Sequence, residues 1–252
     1  MLNAPCIAAQ VRYRPAVMRF QTELVPARLI RRYKRFLADC VLEASGEEVT
    51  AHCANPGSMM GLAEPNTRVW LEPNDDPRKK LKYGWRLVDH ENGHFTGVDT
   101  SLPNRALKAA LIAKKIVPFA HYPLVRPEVK YGENSRIDFL LTGPELPDLY
   151  MEVKSVTLSR NPGTAEFPDS VTKRGTKHLE ELAKMTNEGH RAMTLYLVQR
   201  TDCTDFKLAD DIDPAYARAY AAAREAGVET LCLSTNITAH GVEIAEPLTL
   251  RV

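Results

Sequence analysis

Between residues 18 and 98, apolar positions come in short alternating runs broken by turn residues. The alternation predicts strands at 28–30, 36–41, 48–52, 67–71 and 85–88. Ser45-Gly46, Asn55-Pro56-Gly57, Pro73-Asn74-Asp75 and Asn92-Gly93 supply the turns between them. Many short strands with frequent turns point to a small barrel. The loop from Ala54 to Met60 carries little side-chain bulk, which lets backbone approach a ligand closely.

After Gly97 the period changes. Leu107, Ala110, Leu111 and Ile112 form a helical stripe over 104–115, stopped by Pro118. Three strands follow at 124–130, 136–141 and 149–156. A helix over about 171–188 buries Val171, Leu179, Leu182 and Met185 and ends at Gly189; Lys173, Lys177 and Lys184 lie on another of its faces. A solid apolar strand covers 193–198. Pro214 opens a helix as its first residue, and that helix ends near Gly227, before a strand at 230–233. The order helix, three strands, helix, strand, helix, strand is that of an α/β domain. No internal repeat or low-complexity tract interrupts it.

The chemistry stands out between Arg136 and Lys154. Arg136-Ile137-Asp138-Phe139 lies on one apolar strand and Met151-Glu152-Val153-Lys154 on the next. Alternation puts Glu152 and Lys154 on one face, and a hairpin over 142–148 would bring Asp138 alongside. Two carboxylates, with the carbonyl of Val153, are enough to hold Mg²⁺ or Mn²⁺ together with waters and a substrate phosphate. Lys154 would then orient water or stabilise developing negative charge. The competing interpretation is a surface ion-pair cluster, which fits poorly between Ile137, Phe139, Met151 and Val153 because buried acids need partners. A second Glu-x-Lys, Glu128-Val129-Lys130, has no preceding Asp at hairpin distance and reads as an edge strand.

Composition refines this picture. The 252 residues are 44% hydrophobic and 26% charged, as in an ordinary folded chain, and the net charge of +1 excludes polyanion binding by bulk charge. Charge is nevertheless segregated: residues 11–40 carry about +6 and residues 201–252 about −5. A local basic face suits nucleic acid, and a solvated face is the alternative. Five scattered cysteines without a Cys-x-x-Cys indicate reduced thiols and no zinc ribbon or disulfide framework. With no signal-peptide pattern or membrane-length apolar run, a cytoplasmic protein is expected, and residues 1–17 read as a loose tail.

Several long motifs are similar to those of the sugar fermentation stimulation protein A family. They include Leu29-Ile30-Arg31-Arg32-Tyr33-Lys34-Arg35-Phe36-Leu37-Ala38-Asp39, His52-Cys53-Ala54-Asn55-Pro56-Gly57-Ser58-Met59, Glu128-Val129-Lys130-Tyr131-Gly132 and Ser135-Arg136-Ile137-Asp138-Phe139. Glu152-Val153-Lys154-Ser155-Val156-Thr157-Leu158 and the stretch from Phe167-Pro168-Asp169 to Lys177-His178-Leu179 complete the set. The resemblance covers about residues 18–250. It implies an OB-like barrel at 18–98 and a domain of the PD-(D/E)xK nuclease fold, with a mixed central sheet, at 99–252. It also implies sequence-independent DNA binding and a link to sugar (maltose) metabolism in bacteria. Asp138, Glu152 and Lys154 fall on the nuclease-fold motif, with Ile137 in place of its proline. At Asp99 the resemblance leads one to expect Asn.

The candidate nucleic-acid contacts are Arg31, Arg32, Lys34, Arg35 and Asn55 on the barrel, and Lys173, Arg174 and Lys177 on the helix after Pro168. A solvated helix face is the alternative for the last three. Tyr33 or Phe36 would stack a base or fill the core, and for Phe36 the core is the expectation. Three functions remain open: a DNA-binding protein, an active metal-dependent nuclease, and a transcriptional regulator without catalysis. The third is the weakest, because no helix-turn-helix is present.

Overall fold

The computed structural model describes residues 17–132 and 135–251. The expected loose tail lies outside these residues apart from Val17. The first described strand, β1 (Val17–Arg19), is followed by six strands: β2 (Val25–Tyr33), β3 (Leu37–Leu42), β4 (Glu48–Cys53), β5 (Arg68–Pro73), β6 (Tyr83–Asp89) and β7 (Phe95–Gly97). They pair in the order β4-β3-β2-β5-β6-β7, and β4 also pairs in parallel with β6, which closes β2 to β6 into a five-stranded barrel. Period-two alternation turns Ala27, Leu29, Ala38, Cys40, Ala51, Cys53, Val69, Leu71 and Trp85 inward. Phe36, expected in that core, is instead 46% exposed. It belongs to the three-residue hairpin tip Lys34-Arg35-Phe36, and β3 begins one residue later.

The second domain contains α1 (Leu102–Ile112), β8 (Leu124–Tyr131), β9 (Ser135–Thr142), β10 (Leu149–Val156), β11 (Leu158–Asn161), β12 (Gly163–Phe167) and α2 (Lys173–Asn187). It continues with β13 (Arg191–Val198), β14 (Cys203–Leu208), α3 (Pro214–Glu225), β15 (Glu229–Thr238), β16 (Gly241–Pro247) and β17 (Thr249–Leu250). Its central mixed sheet runs β1-β16-β15-β13-β10-β9-β8, with β10, β13 and β15 parallel and the remaining pairs antiparallel. α1 packs on one face, placing Leu107 and Leu111 among Phe139, Met151, Leu195 and Leu197. α2 and α3 cover the other, where Leu179, Leu182 and Tyr216 meet Ile137, Tyr196 and Val198. β13 is buried along nearly its whole length, which explains its unbroken apolar run.

The pattern did not announce the small sheet β11-β12-β14-β17. Leu158-Ser159-Arg160-Asn161 and Gly163-Thr164-Ala165-Glu166-Phe167 are too short and polar to read as strands. They nevertheless place Leu158 and Ala165 in buried positions, and Glu166, fully buried, accepts from Arg160 and Lys207. Glu128 and Lys130 are exposed on β8 at the sheet edge, in keeping with the edge-strand expectation. The four described cysteines are free and buried, and no described helix is long and apolar enough to cross a membrane.

Barrel and second domain are joined along β7, where Gly97 N donates to the Gln199 carbonyl and Thr201 N to the Phe95 carbonyl, and at the loop after β4. Thr100 donates through its amide and hydroxyl to the Ala54 carbonyl. Ser58 Oγ donates to the Asp169 carbonyl at 2.9 Å, and Met59 N to Asp169 Oδ2 at 3.3 Å. The bulk-free loop therefore abuts the segment leading into α2.

Candidate metal centre

β9 and β10 pair through Leu141↔Leu149, Leu140↔Tyr150 and Phe139↔Met151, and then separate. At the point of separation the Val153 amide donates to Asp138 Oδ2 at 2.7 Å, so a side chain replaces the next ladder partner. Strand alternation also slips there. Ile137 packs with α2 and α3, whereas Phe139 packs with α1. Glu128, with φ of 54°, lies on β8 between the partners of these two residues. Such an irregularity re-aims one side chain. Here it turns Asp138 into the gap between the strands, where Asn104 Nδ2 of α1 donates to its Oδ1 at 2.7 Å.

Glu152 is 4% exposed and lines the same cleft of about 300 Å³ as Asp138. Its Oε1 accepts from Lys154 Nζ at 2.9 Å and from His178 Nδ1 of α2. Arg174 Nε donates to His178 Nε2 at 3.2 Å. With Nε2 accepting from Arg174, the ring hydrogen facing Glu152 is assigned to Nδ1. Glu152 Oε2 is buried with no partner among the described residues. Burial, then the negative charge of Glu152, push the Asp138 carboxyl up to about 6. Glu152 moves the other way: burial opposes its ionisation, but Lys154 and then His178 outweigh burial and hold its pKa below the ordinary value. The two acids thus share a cleft while their proton affinities are driven apart.

The cleft continues past Thr100, Ser155 and Phe167 into a hollow of about 170 Å³ bounded by Asn55, Pro56, Gly57 and Asp169. A roomier hollow of about 580 Å³, between Lys207, Tyr220, Arg224 and Arg251, contains none of the predicted site residues. The smaller cleft is the one that brings Asp138, Glu152 and Lys154 together.

The predicted cationic residues fall into two groups. Lys34, Arg35, Lys173 and Arg174 are exposed. Arg31 is also exposed, paired with Asp39 at 2.9 Å and lying over the Tyr33 ring. Lys177 pairs with Glu181 at 3.6 Å. By contrast, Arg32 turns back on the barrel and donates to the carbonyls of Asn55, Gly57 and Ser58. Asn55 is not a surface contact: it is 3% exposed, donates to the Val98 carbonyl and accepts from the Gly57 amide. These two residues shape the loop. Asp99 is also buried, accepting from Arg86, Arg105 and Ser101. Sequence reasoning missed His178 and Asn104 as members of the site. Both arrive from helices, and no spacing near Asp138 or Glu152 marks them.

The match to known proteins spans both domains. Residues 30–98 match the SfsA N-terminal OB domain, and residues 101–241 the sugar fermentation stimulation protein RE domain. A sugar fermentation stimulation protein homolog from Roseobacter denitrificans is 73% identical over 235 residues, covering 93% of this chain and 100% of the relative. Its counterpart from Ruegeria pomeroyi is 74% identical over 231 residues, covering 92% and 100%. A solved structure of Pyrococcus furiosus SfsA in complex with Ca²⁺ superposes with a TM-score of 0.83 at 25% identity, covering 93% of this chain and 98% of the other. This chain belongs to the sugar fermentation stimulation protein family.

Proposed function

We propose that the protein binds DNA without sequence preference and carries a nuclease-type phosphodiester-hydrolysing site served by Mg²⁺ or Mn²⁺. The observation that carries this reading is the orphaned, buried Oε2 of Glu152 beside the Asp138 carboxyl and the Lys154 ammonium. An unpaired buried carboxylate oxygen costs free energy unless a cation or donor meets it. Asp138, Glu152 and the Val153 carbonyl are the donors for such a cation. Among the described residues no three His, Cys, Asp or Glu side chains form a ready cage. That set suits a hard ion that retains waters, rather than zinc. The Ca²⁺ in the Pyrococcus furiosus relative supports a divalent ion on this fold.

When bound, the cation acidifies water and offsets charge on the phosphate. Asn104 and the Val153 amide hold Asp138 in place, and His178 holds Glu152. Lys154 supplies positive charge where a pentavalent phosphate accumulates negative charge. Lys34, Arg35, Lys173 and Arg174 would meet flanking phosphates. In this reading the protein works in the cytoplasm, and any effect on sugar use, maltose included, lies downstream of nucleic-acid contact.

The decisive test incubates the protein with plasmid and with short single- and double-stranded oligonucleotides, in Mg²⁺, Mn²⁺ or EDTA. Cutting that requires metal and disappears in Glu152→Gln supports hydrolysis. Binding without cutting leaves a non-catalytic DNA-binding protein, and neither binding nor cutting overturns the reading.

The hairpin tip supplies an independent check. Lys34 and Arg35 have φ of 47° and 63°, a region costly for residues with a Cβ and common at functional sites. Replacing them with Asn and Gly is expected to stabilise the protein by about 1–2 kcal/mol, read from urea unfolding. The same double change should weaken DNA binding and flatten its salt dependence by roughly 0.7–0.9 per cation removed.

A further inference from the structure

We infer that the outer wall of the barrel around Phe36 and His52 is a stacking platform for unpaired nucleobases, so the nucleic acid this protein engages contains a single-stranded segment. The inference rests on the nucleic-acid reading above and narrows its substrate class.

Phe36 is a large aromatic side chain left 46% exposed, which the barrel does not need for its core. Its position is nonetheless fixed. Phe36 N donates to the Lys34 carbonyl, and its own carbonyl accepts from Cys53 N. The ring stacks on His52 with centroids 6.5 Å apart and planes 20° apart. Ala51 and Cys53 point into the barrel, so His52 points out. Its register partner on β6 is Gly84, which offers no side chain. The Arg86 guanidinium lies across that glycine: a Cβ built there would sit 3.1 Å from Nη2. Glu72 and Asp99 hold this guanidinium at 2.8 Å each. Phenyl, imidazole and guanidinium groups therefore line one outward wall.

Cations flank the wall on both sides. Lys34 and Arg35 precede Phe36 in the tip. Beyond His52, a hollow of about 320 Å³ is edged by Lys79 and Lys80. Planar groups between cations suit bases that stack while their phosphates are neutralised. A duplex hides its base faces and would use only the cations. An exposed ring gains nothing from a phosphate backbone, so its partner is a base free of its own stack.

The test uses the full chain in EDTA, so that no strand is cut, and anisotropy of a labelled thymidine oligomer, an abasic oligomer of equal length, and a duplex. The wild type is expected to favour the thymidine oligomer over the abasic one by about 5- to 150-fold, the span of one aromatic–base stack. Phe36→Ala should erase that ratio and leave duplex binding unchanged. Phe36→Leu, which keeps apolar bulk, should behave like Phe36→Ala. Phe36→Trp should restore the ratio, with its fluorescence quenched on binding. A uridine ribo-oligomer against its abasic form distinguishes RNA from DNA, and a base preference in either supports the platform. Equal affinity of the wild type for base-bearing and abasic strands, or a ratio that survives Phe36→Ala, overturns it. Loss of all binding, duplex included, at low salt would overturn the nucleic-acid reading itself.

Discussion

Lys154→Met is expected to lower the stability of the metal-free protein by about 3–5 kcal/mol while tightening its hold on a divalent cation. Both effects follow from one contact. Lys154 and Glu152 have side chains 11% and 5% exposed and meet at 2.9 Å. Removing the ammonium strands a buried carboxylate with only His178 to satisfy it. The same ammonium repels an incoming cation, so its loss favours metal. Thermal unfolding in EDTA and in millimolar Mg²⁺ or Mn²⁺ reads both effects. The variant should melt early without metal and recover more than the wild type with it, since ligand binding adds stability as RT ln(1 + L/Kd), L being the free cation concentration. Cleavage should nevertheless fall by about 10²–10³-fold, the usual cost of removing one group aimed at developing charge. Glu152→Gln should abolish the metal response. A response that survives this change would place the cation elsewhere.

Asp99→Ala should cost about 3 kcal/mol, at the low end for breaking a buried pair. Asp99 Oδ2 accepts from Arg86 at 2.8 Å and Arg105 at 3.1 Å, and Oδ1 from the Ser101 amide and hydroxyl. Arg86 retains Glu72, which is why the loss stays at the low end. Asp99→Asn preserves an acceptor for Ser101 but removes the charge, so an intermediate loss is expected. The family resemblance leads one to expect Asn here, and this chain spends the extra charge on tying β6 to the start of α1. Urea midpoints order the three proteins. A midpoint for Asp99→Ala equal to that of the wild type would show that Glu72 alone satisfies Arg86.

Strong periodicity was legible and local exceptions were not. β13 is visible because both of its faces are buried, and Glu152 with Lys154 because their spacing matches the strand repeat. Asp138 was found by residue type, but the slip that aims it was not: that slip takes shape opposite Glu128 on a different strand. Asn104 and His178 reach the acids from 34 and 26 residues away. Asn55 and Arg32 looked like ligands for DNA because buried and exposed polar residues are identical in a sequence. Phe36 misled in the opposite direction, as an apolar residue that begins a strand pattern yet sits at a tip. The four-stranded sheet stayed hidden because its strands are short and each gives the core only one or two apolar residues, such as Ala165 and Phe206, too few to show a period.

The short strand β1 has a consequence for handling the molecule. Val17 pairs with Glu243 and Arg19 with Gly241, so the segment preceding the barrel shields the rim of the far sheet. During synthesis β1 waits for a partner made some two hundred residues later. A fragment cut after the barrel would carry away the shield, and a protease that trims the leading residues would do the same. Either product would present β16 as an open template for another copy, with clumping on concentration as the visible sign.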